Sequence, residues 1–190
     1  TDFGEVTEAA SFRQPCAVCA WKSTTVTCRC IAEDPMTDGF TPLTLAQLTE
    51  LHRDPQPIPD QLTQLLITLT DHDEEVRAWA ADCLQEAPQL DDQRAEQVAK
   101  YCNHENEVVA NWACLTLAKA EHLILFQEQL VTAVKQHSSL GVRQSAVKTL
   151  CELVAANSET LNALEDAAKS LDPRLQRLAK NALLKFSGRT

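Results

Sequence analysis

Residues 76–84 read Val76-Arg77-Ala78-Trp79-Ala80-Ala81-Asp82-Cys83-Leu84. The apolar positions of this stretch return along the chain at a step of 33 residues, which is the length of one helical repeat unit. Three sets of positions share the step: Val76, Val109, Val142 and Leu175; Ala80, Ala113, Ala146 and Ala179; Leu84, Leu117, Leu150 and Leu183. Within one repeat they fall at i, i+4 and i+8, on one face of an α-helix. A fourth set at i+3 is Trp79, Trp112, Ser145 and Leu178, so we expect Trp79 and Trp112 to pack in the core.

Helices that carry the same apolar stripe at a fixed period cannot each close a core alone, so they bury the stripe by stacking. A weaker set at the same step marks a preceding helix in each repeat: Leu65, Val98, Val131 and Leu164. The prediction is an all-α fold, an α-solenoid of about four hairpins, each with a first helix (A) and a second helix (B). The expected hairpins are residues 60–88, 91–120, 123–156 and 158–187.

The domain boundary is predicted near residue 41, with a Cys-rich extension over residues 1–41 and the solenoid over 42–190. Leu43, Ala46 and Leu51 lie 33 residues before Val76, Trp79 and Leu84, which indicates a degenerate preceding repeat or cap in Pro42–Arg53. The prolines of residues 54–60 separate it from the first hairpin. Helix N-caps are expected at Asp60, at Asp91 or Asp92 and at Ser158, with Pro173 in a first turn.

Residues 69–84 combine an acidic turn, Asp71-His72-Asp73, with Val76-Arg77 and an Ala-rich helix. This stretch closely resembles the HEAT repeat, in the short form that is also found in phycobilisome lyases. Residues 140–150 resemble it again, whereas Ala110 and Gln176 stand where the arginine is expected. The resemblance covers about residues 60–187 and implies that the B helices line the concave face. It is specific for fold and carries little about function.

The outward positions of the B helices follow from the same period. They form the sets Ala78, Asn111, Gln144 and Arg177; Asp82, Leu115, Lys148 and Asn181; and Gln85, Ala118, Cys151 and Leu184. These mixed and partly apolar side chains suit a protein or peptide partner, although repeats that drifted without constraint would look the same. The predicted partner-binding residues are Arg77, Asp82, Asn111, Leu115, Gln144, Lys148, Arg177 and Asn181.

The net charge of −10 is uneven along the chain. Residues 56–122 hold thirteen acids against four bases, whereas residues 123–190 hold six acids against nine bases. This pattern indicates either a solvated acidic surface or a rod with an acidic middle and a basic C-terminal end. Nucleic-acid binding needs a basic stripe that releases counterions, so it remains the minor hypothesis.

Four cysteines are the clearest candidates for a chemically functional site: Cys16, Cys19, Cys28 and Cys30. The Cys16–Cys19 spacing is that of a metal knuckle, and Cys28 and Cys30 would project from the same side of a strand. We predict a structural Zn²⁺ bound by these four thiolates. An iron–sulfur cluster and two disulfides are the alternatives. The cysteines at 83, 102, 114 and 151 lie within helical patterns and are interpreted as small hydrophobic residues in a reducing setting.

The sequence offers no recognisable catalytic motif, so the leading hypothesis is a non-enzymatic interaction or assembly module. HEAT-like hydroxylases carry repeated His-Glu pairs, whereas this chain has one, His104-Glu105. The enzymatic alternative is a bilin-lyase-like protein acting on a chromophore, which would need a reactive helix cysteine. No apolar run long enough to span a membrane and no secretory signal at Thr1–Glu5 is visible, so a cytoplasmic location is the default expectation.

Overall fold

Nine α-helices follow one another in residues 40–55 and 58–188, the part of the chain that the computed structural model describes. They are α1 (Leu45–Arg53), α2 (Leu62–Thr68), α3 (Glu74–Glu86), α4 (Asp92–Ala99), α5 (Glu107–Leu117), α6 (Gln127–Gln136), α7 (Leu140–Leu150), α8 (Ser158–Ala167) and α9 (Pro173–Ser187). Short 3₁₀ helices at Ile58–Gln61 and Leu123–Phe126 lead into α2 and α6. In these described ranges, β-pairing is limited to an isolated bridge between Leu90 and Ala120.

The helices form stacked hairpins, which confirms the predicted α-solenoid. Each A helix (α2, α4, α6, α8) packs against the B helix that follows it (α3, α5, α7, α9), and each B helix also packs on the next B helix. Helix α1 packs on α3 and so occupies the B position of a preceding half repeat. Leu43 and Leu51 are buried there as their spacing predicts, but Ala46 is exposed and Leu48 fills the core instead.

The repeating apolar positions form one continuous core. The valine and alanine sets on the B helices are buried in every repeat, as are Leu65, Val98, Val131 and Leu164 on the A helices. Leu84, Leu117 and Leu150 are buried, whereas Leu183 is only half-buried because no described helix follows α9. The expectation for the tryptophans is only partly right: Trp79 and Trp112 pack against the core but stay half-exposed at its edge.

The A–B turn uses one hydrogen-bonding scheme in all four repeats, although the residues differ. A side chain at the first turn position accepts the backbone N–H two residues on: Asp71 from Asp73, His104 from Asn106, His137 from Ser139 and Ser170 from Asp172. Two residues later, at the N-cap position of the B helix, the side chains of Asp73, Asn106 and Asp172 accept a backbone N–H of that helix. Ser139, at the same position, makes no such side-chain bond. Each side-chain cap contributes about 1 kcal/mol, so the caps help to fix where α3, α5 and α9 begin.

The A-helix caps match the prediction in part. Asp91 accepts the backbone N–H of Arg94 as expected. Asp60 instead lies inside a 3₁₀ helix, and Ser158 is the first residue of α8, whose N-cap is Asn157. Pro173 opens α9 as predicted, where the missing N–H costs no hydrogen bond.

Candidate functional site

The B helices expose one continuous surface, which we call the B-face. It comprises the outward sets predicted from the period, together with the exposed first-turn residues of the same helices. Across the B-face, Ala78, Asp82 and Gln85 on α3 and Arg177, Asn181 and Leu184 on α9 are exposed. Asn111, Leu115 and Ala118 on α5 are half-buried. The surface is therefore most recessed at α5, near the middle of the array.

A groove of about 420 Å³ opens at this recess, between the C-terminal halves of α3, α5 and α7. Its apolar part is formed by Leu84, Trp112, Leu115 and Ala118. The polar side chains around it are Gln85, Thr116, Lys119, Lys148, Thr149 and Glu152. A concave apolar pocket with a few convergent polar groups is the usual form of a binding site.

Thr116 is the buried polar residue that the groove leaves unsatisfied. Its side chain is 2% exposed, and its hydroxyl has no hydrogen-bond partner in the structure. At equivalent positions the neighbouring repeats do make such a bond. The Cys83 Sγ donates to the Leu48 carbonyl at 3.7 Å, and the Thr149 hydroxyl donates to the Cys114 carbonyl at 2.7 Å. An unsatisfied buried hydroxyl costs free energy.

Charged residues follow a column of their own at the edge of the groove: Glu86, Lys119, Glu152 and Lys185, at the 33-residue step. The Lys119 ammonium donates to the carbonyls of Leu84, Gln85 and Ala87, at 3.3, 2.5 and 2.6 Å, and so caps the C-terminus of α3. Burial lowers the pKa of Lys119, with a smaller opposing effect from Glu86. Lys185 caps α7 in the same way through the Cys151 carbonyl.

Lys148 differs from these lysines because its ammonium is uncommitted. It is exposed at the groove, and among the described residues no hydrogen bond or ion pair involves it. The groove therefore presents one free cation beside an apolar floor.

The structure assigns internal contacts to three of the predicted partner-binding residues. Arg77 donates to the carbonyls of Asp71 and His72, so it braces its own turn. The Asn111 side chain accepts from the Ser145 hydroxyl at 2.5 Å, and Gln144 donates to Asp172 at 3.0 Å, which ties neighbouring repeats together. The side chains of Asp82, Leu115, Lys148, Arg177 and Asn181 keep free surface on the B-face, with Leu115 and Lys148 in the groove.

Reasoning from the outward columns alone missed the groove residues Trp112, Thr116, Lys119 and Glu152. The column of Glu86, Lys119, Glu152 and Lys185 was visible at the 33-residue step and would have indicated the groove edge. The 33-residue period assigns Trp112 to the core. Its partial exposure depends on the spacing between α3 and α5, which a sequence pattern does not specify.

Three of the helix cysteines, Cys83, Cys102 and Cys151, have thiol pKa values raised by their surroundings. Burial is the main cause that raises the pKa of Cys83 to about 11, and burial likewise raises that of Cys151. Cys102 has its pKa raised first by a hydrogen bond with Cys114 and then by burial. Because the thiolate is the nucleophile, these environments do not favour the reactive cysteine that the bilin-lyase alternative needs.

The histidines of the described region have structural partners. The His137 Nδ1 accepts the Ser139 N–H, so its ring proton lies on Nε2 and is donated to the His104 carbonyl at 3.0 Å. His52 packs edge-on against Trp79 and contacts Glu86 at 3.1 Å. Within residues 40–55 and 58–188, no group of three or more His, Cys, Asp or Glu side chains is arranged to hold a metal ion. The predicted zinc ligands Cys16, Cys19, Cys28 and Cys30 lie outside the described residues.

No protein-family model matches the chain, and no curated protein does. Among solved structures, it is similar to a designed armadillo repeat protein in complex with the peptide (KR)4, at 19% identity and a TM-score of 0.44, covering 75% of this chain and 81% of that one. A second designed armadillo repeat protein has 19% identity and a TM-score of 0.45, covering 74% and 68%. This likeness concerns the fold alone. In the described residues no helix has both the length and the apolar character to cross a membrane.

Proposed function

We propose that the solenoid is a non-enzymatic, HEAT-type interaction module that binds a segment of another protein on its B-face. The groove between α3, α5 and α7 would receive an apolar side chain of that segment. The observation that carries the proposal is the groove itself, whose apolar floor of Leu84, Trp112, Leu115 and Ala118 lies beside the exposed Lys148.

The dimensions and chemistry of the groove support this function. Ligand pockets commonly enclose about 300–1,000 Å³, and interface hot spots are large apolar side chains seated in such pockets within a polar rim. Burying one leucine or phenylalanine side chain there contributes roughly 1.5–3 kcal/mol. The free ammonium of Lys148 can pair with a carboxylate of the partner.

A protein partner fits the B-face better than nucleic acid does. The exposed charges on the B-face include the carboxylates of Glu74, Glu75 and Asp82 on α3, which repel phosphates. Phosphate contacts need cations along the whole track, whereas the exposed cations of the B-face lie on α7 and α9.

The proposal is tested by selecting peptides from a random dodecapeptide phage library against the full chain. We expect the selected peptides to lose at least about tenfold in affinity for Leu115→Arg, since a desolvated charge in the pocket costs more than 1.4 kcal/mol. The matched control is Leu125→Arg, which alters an exposed leucine away from the groove. A library that yields no binder, or binders indifferent to Leu115→Arg, contradicts the proposal.

For the N-terminal extension we propose the structural Zn²⁺ site of Cys16, Cys19, Cys28 and Cys30. The support is the ligand spacing in the sequence, with a knuckle pair followed by a second pair. Bound zinc would supply folding free energy to a segment of about forty residues that is too short for a large core of its own.

A further inference from the structure

Among the described residues, the exposed charges of the B-face that form no ion pair change sign in order along the array. Helix α3 contributes three carboxylates, Glu74, Glu75 and Asp82, and α5 contributes one, Glu107. Helix α7 contributes the ammonium of Lys148, and α9 contributes the guanidinium groups of Arg174 and Arg177. All seven are exposed, and among the described residues none of them takes part in an ion pair. The groove lies between the acidic and the basic end.

Helix stability explains only the acidic part of this order. Glu74, Glu75 and Glu107 lie in first turns, where the helix dipole favours negative charge. Asp82 lies beyond the first turn of α3, so the dipole does not account for it. Arg174 is the second residue of α9, where the same dipole disfavours a cation. The basic end is therefore kept at a cost to the helix that carries it.

These charges are not neutralised by ion pairs with neighbouring side chains either. Several bases elsewhere in the described chain are paired, such as Arg94 with Asp60 and Asp91, and Lys135 with Glu159. On the B-face the carboxylates of α3 and the guanidinium groups of α9 are separated by α5 and α7, so they stay available to a bound partner. Electrostatic complementarity of this kind sets the orientation and the association rate of a complex.

We infer that the segment bound on the B-face is bipolar: a basic end lies over α3, an apolar side chain enters the groove, and an acidic end lies over α9. This inference rests on the proposed function and specifies its partner. Helix axes pack about 8–10 Å apart, so the three steps from α3 to α9 span roughly 27 Å. An extended chain covers about 3.4 Å per residue, so the segment is about eight to ten residues long.

The test uses the full chain and three synthetic peptides of nine residues. Each has the centre Ala-Leu-Trp-Leu-Ala, and the two-residue ends are Lys-Lys and Glu-Glu in the mixed peptide, Lys-Lys twice in the basic peptide and Glu-Glu twice in the acidic peptide. Affinity is measured by fluorescence anisotropy at 0.15 M salt, with a label attached through a neutral linker. The mixed peptide is expected to bind roughly fivefold more tightly than either uniform peptide, because each uniform peptide lacks two exposed ion pairs at one of its ends.

The decisive variant is Arg174→Glu/Arg177→Glu, which makes both ends of the B-face acidic. The basic peptide is then expected to bind most tightly. The matched control is Lys100→Glu/Lys169→Glu, which changes the net charge equally at exposed positions on the A-helix side and should leave the mixed peptide preferred. The alternative occupant of the B-face is a second copy of the chain, which light scattering of the unliganded chain tests. A dimer that dissociates in the variant Arg174→Glu/Arg177→Glu would mean that a second copy covers the B-face.

Three outcomes overturn the inference. They are equal affinity for all three peptides, a change of ranking in the control that matches the change in the decisive variant, and the charge-dependent dimer. Equal affinities that still fall in Leu115→Arg contradict the bipolar segment and leave the proposed function standing. Absence of binding by every peptide, or binding that ignores Leu115→Arg, contradicts the proposed function itself.

Discussion

At the scale of single residues, equivalent positions of the repeats have been put to different uses. Cys83, Thr116 and Thr149 occupy the same place on successive B helices. Thr149 bonds the Cys114 carbonyl of the preceding repeat, whereas the Thr116 hydroxyl is buried without a partner. The same side chain therefore stabilises one interface and leaves an unsatisfied group in the other.

Substitution by valine separates these two roles. Thr149→Val removes the 2.7 Å hydrogen bond and strands the Cys114 carbonyl, so we expect a loss of about 1–2 kcal/mol in the free energy of unfolding. Thr116→Val removes an unpaired hydroxyl and keeps the shape, so the expected change is neutral or a gain of up to about 1 kcal/mol. Urea unfolding of both variants measures the difference. Equal losses would mean that the Thr116 hydroxyl is satisfied in solution.

Cys83 predicts a pH dependence of stability. Its pKa is raised by burial from 9.0 to about 11, so its thiol stabilises the fold relative to the thiolate. That contribution is present in full below pH 9, where both states are protonated, and is lost as the pH rises towards 11 and only the unfolded chain ionises. Relative to Cys83→Ala, the wild type should lose about 1–2 kcal/mol between pH 8 and pH 11, measured by urea unfolding. A constant difference across this range would contradict the burial of the thiol.

At the scale of elements, two of the B helices, α3 and α7, receive a C-terminal cap from the next repeat. Lys119 from the C-terminal end of the second hairpin binds three terminal carbonyls of α3, and Lys185 from α9 binds that of Cys151 after α7. At the equivalent place after α5 stands Glu152, which cannot donate to carbonyls. Lys119 and Glu152 both line the groove.

Removal of one cap should loosen α3 without unfolding the array. Lys119→Met keeps the apolar stem and deletes the donors, so we expect a loss of about 1–2 kcal/mol in unfolding free energy. Hydrogen exchange should rise most in the last turn of α3. The control Lys148→Met removes an ammonium that bonds nothing in the described chain and should change stability by less than about 0.5 kcal/mol. Equal effects of the two variants would rule out the capping role.

The elements were largely predictable, and the site was not. The recurrence of Val76, Ala80 and Leu84 fixes the B helices because a buried stripe has the period of the helix. The N-cap at Asn157 was misplaced by one residue, since Ser158 and Asn157 are both good caps. The groove depends on how far α3 lies from α5, which is set by packing across repeats. The local sequence pattern includes the residues that line the groove, but it does not determine the distance between α3 and α5.

At the scale of the whole molecule, the chain joins a solenoid to an extension for which zinc is predicted. Elemental analysis of chain purified under reducing conditions should give about one zinc per chain. Cys16→Ser/Cys19→Ser should abolish it, and Cys151→Ser, which alters a helix thiol, should not. The far-ultraviolet signal of the helices should survive chelation, because the solenoid has its own core. Metal-free protein with all eight thiols titratable would exclude the site.

The measurement that bears most directly on the function is hydrogen exchange of the full chain with and without a saturating peptide selected from the phage library. Binding on the B-face predicts slower exchange in α5 and α7, around Leu115 and Lys148, with α4 and α6 unchanged. Slower exchange confined to the A helices, or no protection anywhere in residues 107–152, would contradict it.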